Sequence, residues 1–225
     1  MNDKQRVAHH AAKLVQDGMI VGLGTGSTAN YFIEALAQRC NRDGLNVKVV
    51  ASSIVSAIKA SGQGLPMLGF EQINRLDVYV DGADEVTADM TLLKGRGADL
   101  VREKLLAKAA SHFWVLIDQS KKVERIGQNF PIPVEVMPFA WQLVQASLAE
   151  IGGQASLRPN PGGDGLAVTS FGSLVLDTVF ESCPDSLILN DQLNAIPGII
   201  EHGIFSGLTS VVFCVDADKV HEQWA

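Results

Sequence analysis

Short apolar runs closed by polar turns alternate with stretches of helical spacing through the first half of the chain. Val7, Ala8, Ala11, Leu14 and Val15 recur at helical intervals and predict a helix over residues 3–16 that Asp17-Gly18 stops. Residues 19–23 are a short apolar run feeding the turn Gly22-Leu23-Gly24-Thr25-Gly26-Ser27-Thr28, after which helical spacing resumes over 29–39. Further strands are expected at 47–50, 65–68, 76–80 and 113–117, with helices at 54–60 and 98–110. Such alternation predicts a mainly parallel, doubly wound sheet.

Near Gly127 the rhythm changes. Pro131, Pro133 and Pro138 bracket a strand expected at 134–136, and a helix over 140–149 is stopped by Gly152-Gly153. Hairpin strands at 166–169 and 174–176 follow, with turns at Gly162-Gly163-Asp164-Gly165 and Phe171-Gly172-Ser173. A helix near 191–195 leads through Pro197-Gly198 to a strand over 199–204. This β-α-β-β-α-β order is the split βαβ arrangement of a ferredoxin-like α+β domain. The apolar run 208–215 is expected to return to the first sheet. The fold class is therefore α/β: a Rossmann-like, doubly wound domain over 1–126 and 206–225, interrupted by a smaller α+β domain over 127–205.

Composition narrows the function without naming it. With 225 residues, 47% hydrophobic and 19% charged, the chain has the make-up of an ordinary globular protein rather than a disordered one. Its net charge of −7 and lack of a basic stripe interleaved with aromatics argue against nucleic acid as a partner. An anionic ligand would need a local positive island. Cys40, Cys183 and Cys214 are odd in number and widely spaced, and read as reduced core thiols of a cytosolic protein. No apolar run approaches the roughly 18 residues that span a bilayer, so no membrane is expected. The opening MNDKQRVAHH is polar from its second residue, unlike a secretory signal of the usual form. His9 and His10 are helix neighbours that point in different directions, which argues against a shared metal site.

Candidate chemistry lies at three strand ends. In the first, strand, glycine turn and helix form the layout in which backbone amides hold phosphate, with Ser27 and Thr28 adding hydroxyls. The same glycines fit a dinucleotide fingerprint, but that needs an acidic residue ending the next strand, which instead runs into Ala51-Ser52-Ser53. A Walker loop would need a lysine before Ser27. Binding of a simple phosphate remains, beside a plain tight turn with ordinary helix caps.

The second strand end delivers Asp81-Gly82-Ala83-Asp84 to the carboxyl edge of the sheet, where open α/β sheets bind ligands. Beyond it Lys94-Gly95-Arg96-Gly97 opens a helix, and its glycines let amides converge on an anion. On that helix Lys104 and Lys108 mark a wet side and Val101, Leu105 and Ala109 a packed side. Glu103 belongs to neither, having Leu100, Leu106 and Ala107 as its i−3, i+3 and i+4 neighbours. A carboxylate so placed loses hydration, with Asp99 adding like charge, so its pKa rises toward that of a general base. The alternative is an exposed helix glutamate. A third strand end, Asp118-Gln119-Ser120-Lys121-Lys122, brings Lys121 as a further cation.

Taken together, VGLGTGSTA, YVDGADEV, LLKGRGADLVREK, Asp118 with Ser120-Lys121, PVEVMP and NAIPGI resemble the ribose-5-phosphate isomerase family of the A type, in order over essentially the whole chain. The resemblance implies a homodimeric, cytoplasmic enzyme of the pentose phosphate pathway that interconverts ribose 5-phosphate and ribulose 5-phosphate without metal or organic cofactor. It places the substrate loop on Thr25, Gly26, Ser27 and Thr28, and the acidic turn on Asp81, Gly82, Ala83 and Asp84. The lysine loop falls on Lys94, Gly95, Arg96 and Gly97, the proton acceptor on Glu103, and a further substrate lysine on Lys121. Asp81, Asp84 and Lys94 join Glu103 as the implied catalytic group. The chain departs from the family in Arg96 and Asp99, where a glycine and an alanine are usual, and in the hairpin Thr169-Ser170-Phe171-Gly172-Ser173. An arginine at a positive φ would be strained, and pairing of Arg96 with Asp99 is expected to offset it. Two other functions fit the same fold: a non-catalytic sugar-phosphate sensor, and another phosphosugar or coenzyme A enzyme using a glutamate nucleophile.

Overall fold

The computed structural model describes residues 1–181, 185–216 and 219–225. The chain begins with α1 (Asp3–Leu14), β1 (Ile20–Leu23), α2 (Ser27–Asp43), β2 (Lys48–Ala51), α3 (Ile54–Gly62) and β3 (Leu76–Asp81). Two short strands, β4 (Glu85–Val86) and β5 (Leu92–Leu93), precede α4 (Leu100–Ala109), β6 (Ala110–Asp118) and β7 (Ile132–Val136). Next come α5 (Trp141–Glu150), β8 (Gly153–Leu157), β9 (Leu174–Phe180) and α6 (Ser186–Asn194). The chain closes with β10 (Ile199–His202), β11 (Ile204–Phe205), β12 (Val211–Asp216) and β13 (Lys219–Trp224). Two compact units result, one of Met1–Ala83, Arg102–Lys121 and Leu208–Ala225, the other of Asp84–Val101 and Lys122–Gly207. The segment 84–101, expected with the first domain, thus groups with the second unit.

The first unit holds a sheet ordered β13-β12-β6-β3-β1-β2, parallel throughout except for β13. Strand order reverses between β1 and β3, so their carboxyl ends flank the topological switch point at which such sheets take ligands. Val7, Ala8 and Ala11 of α1 and Phe32, Ile33 and Leu36 of α2 pack against Val21, Leu23, Val78, Val80 and Leu116 of the strands. The start of α1 is fixed by a capping box between Asn2 and Gln5. Gly44 ends α2 at φ 71°, so Asp43 is its last helical residue. Residues 65–68, expected as a strand, form one parallel bridge from Met67 to Val49. Pro66 has no amide hydrogen with which to extend it.

The second unit contains an antiparallel sheet ordered β10-β7-β9-β8 with α5 and α6, the ferredoxin-like arrangement. Val134, Val136, Val144, Leu148, Leu176, Leu189 and Leu193 form its core. Gly152-Gly153 stops α5 as expected, but Gly153 also begins β8. A Cβ there would lie 2.8 Å from Thr178 Cγ2 and 2.9 Å from the Phe180 ring, so glycine permits the pairing with β9. Residues 166–169 make isolated bridges instead of a hairpin strand. The run 199–204 is two strands, because Gly203 turns the chain from β7 onto β5. A Cβ on Gly203 would fall 2.4 Å from the Lys94 carbonyl oxygen. Among the described residues no helix is long and apolar enough to cross a membrane. Cys214 is buried and Cys40 half-buried, both as free thiols; Cys183 lies outside the described residues.

Candidate active site

In the first unit, β1 and β3 end side by side and their loops interlock. Gly24 N donates to the Val80 carbonyl at 2.9 Å. Thr25 N donates to Asp81 Oδ1 at 3.1 Å, as does Gly82 N at 2.7 Å. Thr25 Oγ1 meets three hydroxyls, Ser52 at 2.8 Å, Ser53 at 2.7 Å and Ser56 at 3.2 Å, and Ser56 Oγ donates to the Gly24 carbonyl at 2.7 Å. The serines that replace an acidic residue after β2 thus serve the glycine loop, consistent with the argument against a dinucleotide.

Gly26 is the N-cap of α2 at φ 112°, with no side-chain cap and no acid in the first turn. Uncapped amide groups at a helix start attract an anion. Lys4 Nζ donates to Ser27 Oγ at 2.9 Å. A cation therefore stands at this helix start, supplied by a residue 23 positions away that no local spacing links to it. Thr25 and Thr28 are half-buried, whereas Gly26 and Ser27 are exposed.

Asp81 is fully buried and its second oxygen accepts from the Tyr79 phenol at 2.5 Å. Burial, then the negative charges of Asp81 and Glu103, push the Tyr79 hydroxyl well above its ordinary pKa. Both carboxylates therefore act on one buried phenol. Glu103 is 5% exposed. The packed side of α4 is Leu100, Leu106 and Ala107, all buried, while Leu105 is 54% exposed. This corrects the expected packed side of Val101, Leu105 and Ala109: Glu103 sits on the core face itself, which the low-contrast pattern of the helix concealed. Lys121 ends a short 3₁₀ turn (Gln119–Lys121) directly after β6 and is half-buried.

In the second unit, Asp84 N donates to the Leu93 carbonyl and Lys94 N to that of Gly203, each at 2.9 Å. Lys94 is 4% exposed, its Nζ 5.8 Å from the Phe205 ring centroid. Dehydrating a lysine charge to this extent is costly. The loop after it turns at Gly95, φ 94°, and Ala98, φ 63°. Arg96 and Gly97 are not at positive φ, so the expected strain at Arg96 does not arise. Nor does Arg96 pair with Asp99. Its guanidinium lies 3.9 Å over the Phe130 ring and 3.8 Å from Asp84, while Asp99 accepts from Ser170 Oγ at 2.9 Å. The stack on Phe130 removes the need for an intraloop partner.

Two further residues escaped the sequence reading for want of any motif. Arg158 NH1 donates to the Gly95 and Arg96 carbonyls at 3.2 and 3.0 Å, and its other nitrogens clamp Asp177 at 2.8 and 2.5 Å. Glu85, fully buried, accepts from the amides of Gly127, Asn129 and Phe130, which sets the ring beneath Arg96.

Carboxylates and a glycine-hydroxyl loop at the switch point of a doubly wound sheet, in one chain with a ferredoxin-like unit, define an α/β enzyme equipped for acid–base chemistry on a small anionic ligand. Residues 48–219 match the family described as ribose 5-phosphate isomerase A (phosphoriboisomerase A), and the chain belongs to that family. It is 41% identical over 210 residues to ribose-5-phosphate isomerase A of Thermosynechococcus vestitus, covering 93% of this chain and 89% of that one. The solved structure of ribose 5-phosphate isomerase A from Methanocaldococcus jannaschii superposes with a TM-score of 0.94 at 36% identity, over 99% of this chain and 98% of that one. A D-ribose-5-phosphate isomerase solved in complex with phospho-erythronic acid gives a TM-score of 0.95, also at 36% identity, over the full length of both chains.

Proposed function

We propose that the chain interconverts D-ribose 5-phosphate and D-ribulose 5-phosphate through an enediolate, in the non-oxidative branch of the pentose phosphate pathway. The observation that carries this reading is the burial of Glu103 on the core face of α4, within electrostatic reach of the Tyr79 and Asp81 pair. Aldose-ketose isomerisation needs one base that takes a proton from C2 and returns it to C1, and a dehydrated carboxylate suits that task.

Glu103 takes the C2 proton of the open-chain aldehyde, the C–H electron pair forms the C1–C2 double bond, and the carbonyl electrons move to O1. Lys94 and the amide groups around Gly95 and Gly97 stabilise that oxyanion, because donors fixed in advance need no reorganisation. Asp81 assists proton movement between O2 and O1, and Asp84 orients hydroxyls or Lys94. Glu103 then returns its proton to C1, giving the ketose with no net change in charge. The phosphate is assigned to residues 25–28 at the uncapped start of α2, with Lys4 and Lys121 as the positive island that a chain of net charge −7 must build locally.

Residence in the cytoplasm and assembly as a homodimer belong to the same reading. The exposed side chains Ile54, Val55 and Ile58 on α3 offer apolar surface for a second copy, and light scattering of the purified protein tests the dimer. Incubating the protein with ribose 5-phosphate in the presence of a chelator tests the activity. Ketose should accumulate. Bound but unchanged sugar phosphate would make the protein a sensor instead.

A further inference from the structure

Tyr79 lies in β3, and its hydroxyl is a polar group in the buried middle of that strand. The ring is fully buried, stacks on Phe113 at 4.9 Å between centroids, and fills a slot over Gly22, where a Cβ would fall 2.7 Å from Tyr79 Cδ2. A phenylalanine would satisfy all of that packing. Burying a hydroxyl is unfavourable unless it is hydrogen-bonded, so packing alone does not account for the phenol.

Its hydrogen bond opens a short chain of contacts. The phenol donates to Asp81 Oδ2 at 2.5 Å, and Asp81 Oδ1 accepts from Thr25 N at 3.1 Å. Thr25 Oγ1 in turn lies 2.8 Å from Ser52 Oγ. Residues i and i+2 of a strand share a face, so β3 itself aims Tyr79 at Asp81. The chain of contacts joins the end of β3, the loop after β1 and the first residue after β2.

We propose that Tyr79 is a positioning residue for the isomerisation: its phenol fixes the orientation of the Asp81 carboxylate and through it locks the loop of residues 25–28 to the end of β3. The inference rests on the assignment of Asp81 to the reacting sugar. Because burial and the charges of Asp81 and Glu103 all oppose ionisation of the phenol, it remains a donor across the working pH range, and Asp81 always meets the same partner.

Tyr79→Phe tests this with the packing preserved. The variant should fold, with a Tm lowered modestly by the donor lost to a buried carboxylate, lose about 10- to 100-fold in kcat, as expected of a catalytic group displaced by a fraction of an ångström, and keep KM close to wild type. In an Asp81→Asn background, adding Tyr79→Phe should cost nothing further, since one residue acts through the other. A readout independent of turnover is the far-downfield NMR resonance of the phenol proton, expected in wild type and Glu103→Gln, and lost in Tyr79→Phe and Asp81→Asn. Wild-type kcat in Tyr79→Phe, additive losses in the double variant, or persistence of the resonance in Asp81→Asn would each overturn the proposal. Wild-type turnover in Asp81→Asn would instead remove Asp81 from the reaction, whereas a crippled Asp81→Asn beside an unaffected Tyr79→Phe defeats the positioning role alone.

Discussion

Gly24 is in such close approach to Asp81 that a Cβ on it would fall 2.0 Å from Oδ1. The glycine is therefore fixed by the carboxylate that accepts from Thr25, Tyr79 and Gly82, and not only by the turn it makes.

Gly24→Ala should push the loop off β3 and break the bond from Thr25 N to Asp81. We expect kcat/KM to fall by about 100-fold or more, the scale set by small misplacements of catalytic groups, and stability to fall by about 1–3 kcal/mol from overpacking. Steady-state kinetics and urea unfolding check both. Gly62→Ala, with nothing within 4 Å of the added carbon, is the control and should leave kcat/KM unchanged.

Arg158 supports the lysine loop from below through two carbonyl oxygens. Removing it by Arg158→Ala should lower stability by about 2 kcal/mol, typical of charged hydrogen bonds, and lower kcat as the loop carrying Lys94 relaxes. Asp177→Ala leaves the guanidinium on the loop carbonyls and should cost less in kcat than Arg158→Ala. Equal kcat losses would show that the clamp on Asp177, and not the loop contact, matters.

Glu135 predicts a pH dependence of stability in the second unit. It is 1% exposed, accepts from Thr169 Oγ1 at 2.8 Å, and its pKa is raised, chiefly by burial. The charges of Glu201 and Asp99 push the same way, against the hydroxyls of Thr169 and Ser173. The folded protein thus holds this proton to higher pH than the unfolded chain does. Its contribution to stability is complete below the ordinary glutamate pKa of about 4.3 and is lost as pH rises through the raised folded value. Melting curves of Glu135→Gln and wild type, measured from acid to neutral pH, should converge at low pH and separate above, with the variant more stable.

Much of this architecture was legible in the sequence for a physical reason. Buried parallel strands are apolar on both faces, and their ends carry the polar residues, so β1, β3 and β6 and the candidate carboxylates announced themselves together. What escaped did so for equally physical reasons. The strand β13 is an exposed, mostly polar edge with no apolar alternation, and β4 and β5 are two residues each. Lys4 acts through a partner distant in the chain, Ser27, and pairing across such a distance has no signature in local spacing. Arg96 misled because the left-handed turns of its loop fall on Gly95 and Ala98, which only the backbone reveals.

Glu103 carries the central claim, and Glu103→Gln tests it most directly, since the amide keeps the shape and burial but takes no proton. The variant, assayed with ribose 5-phosphate alongside a binding measurement, should lose about 100- to 10,000-fold in kcat, the range set by general bases, while still binding the sugar phosphate. Turnover near that of the wild type would contradict the account and place the base elsewhere.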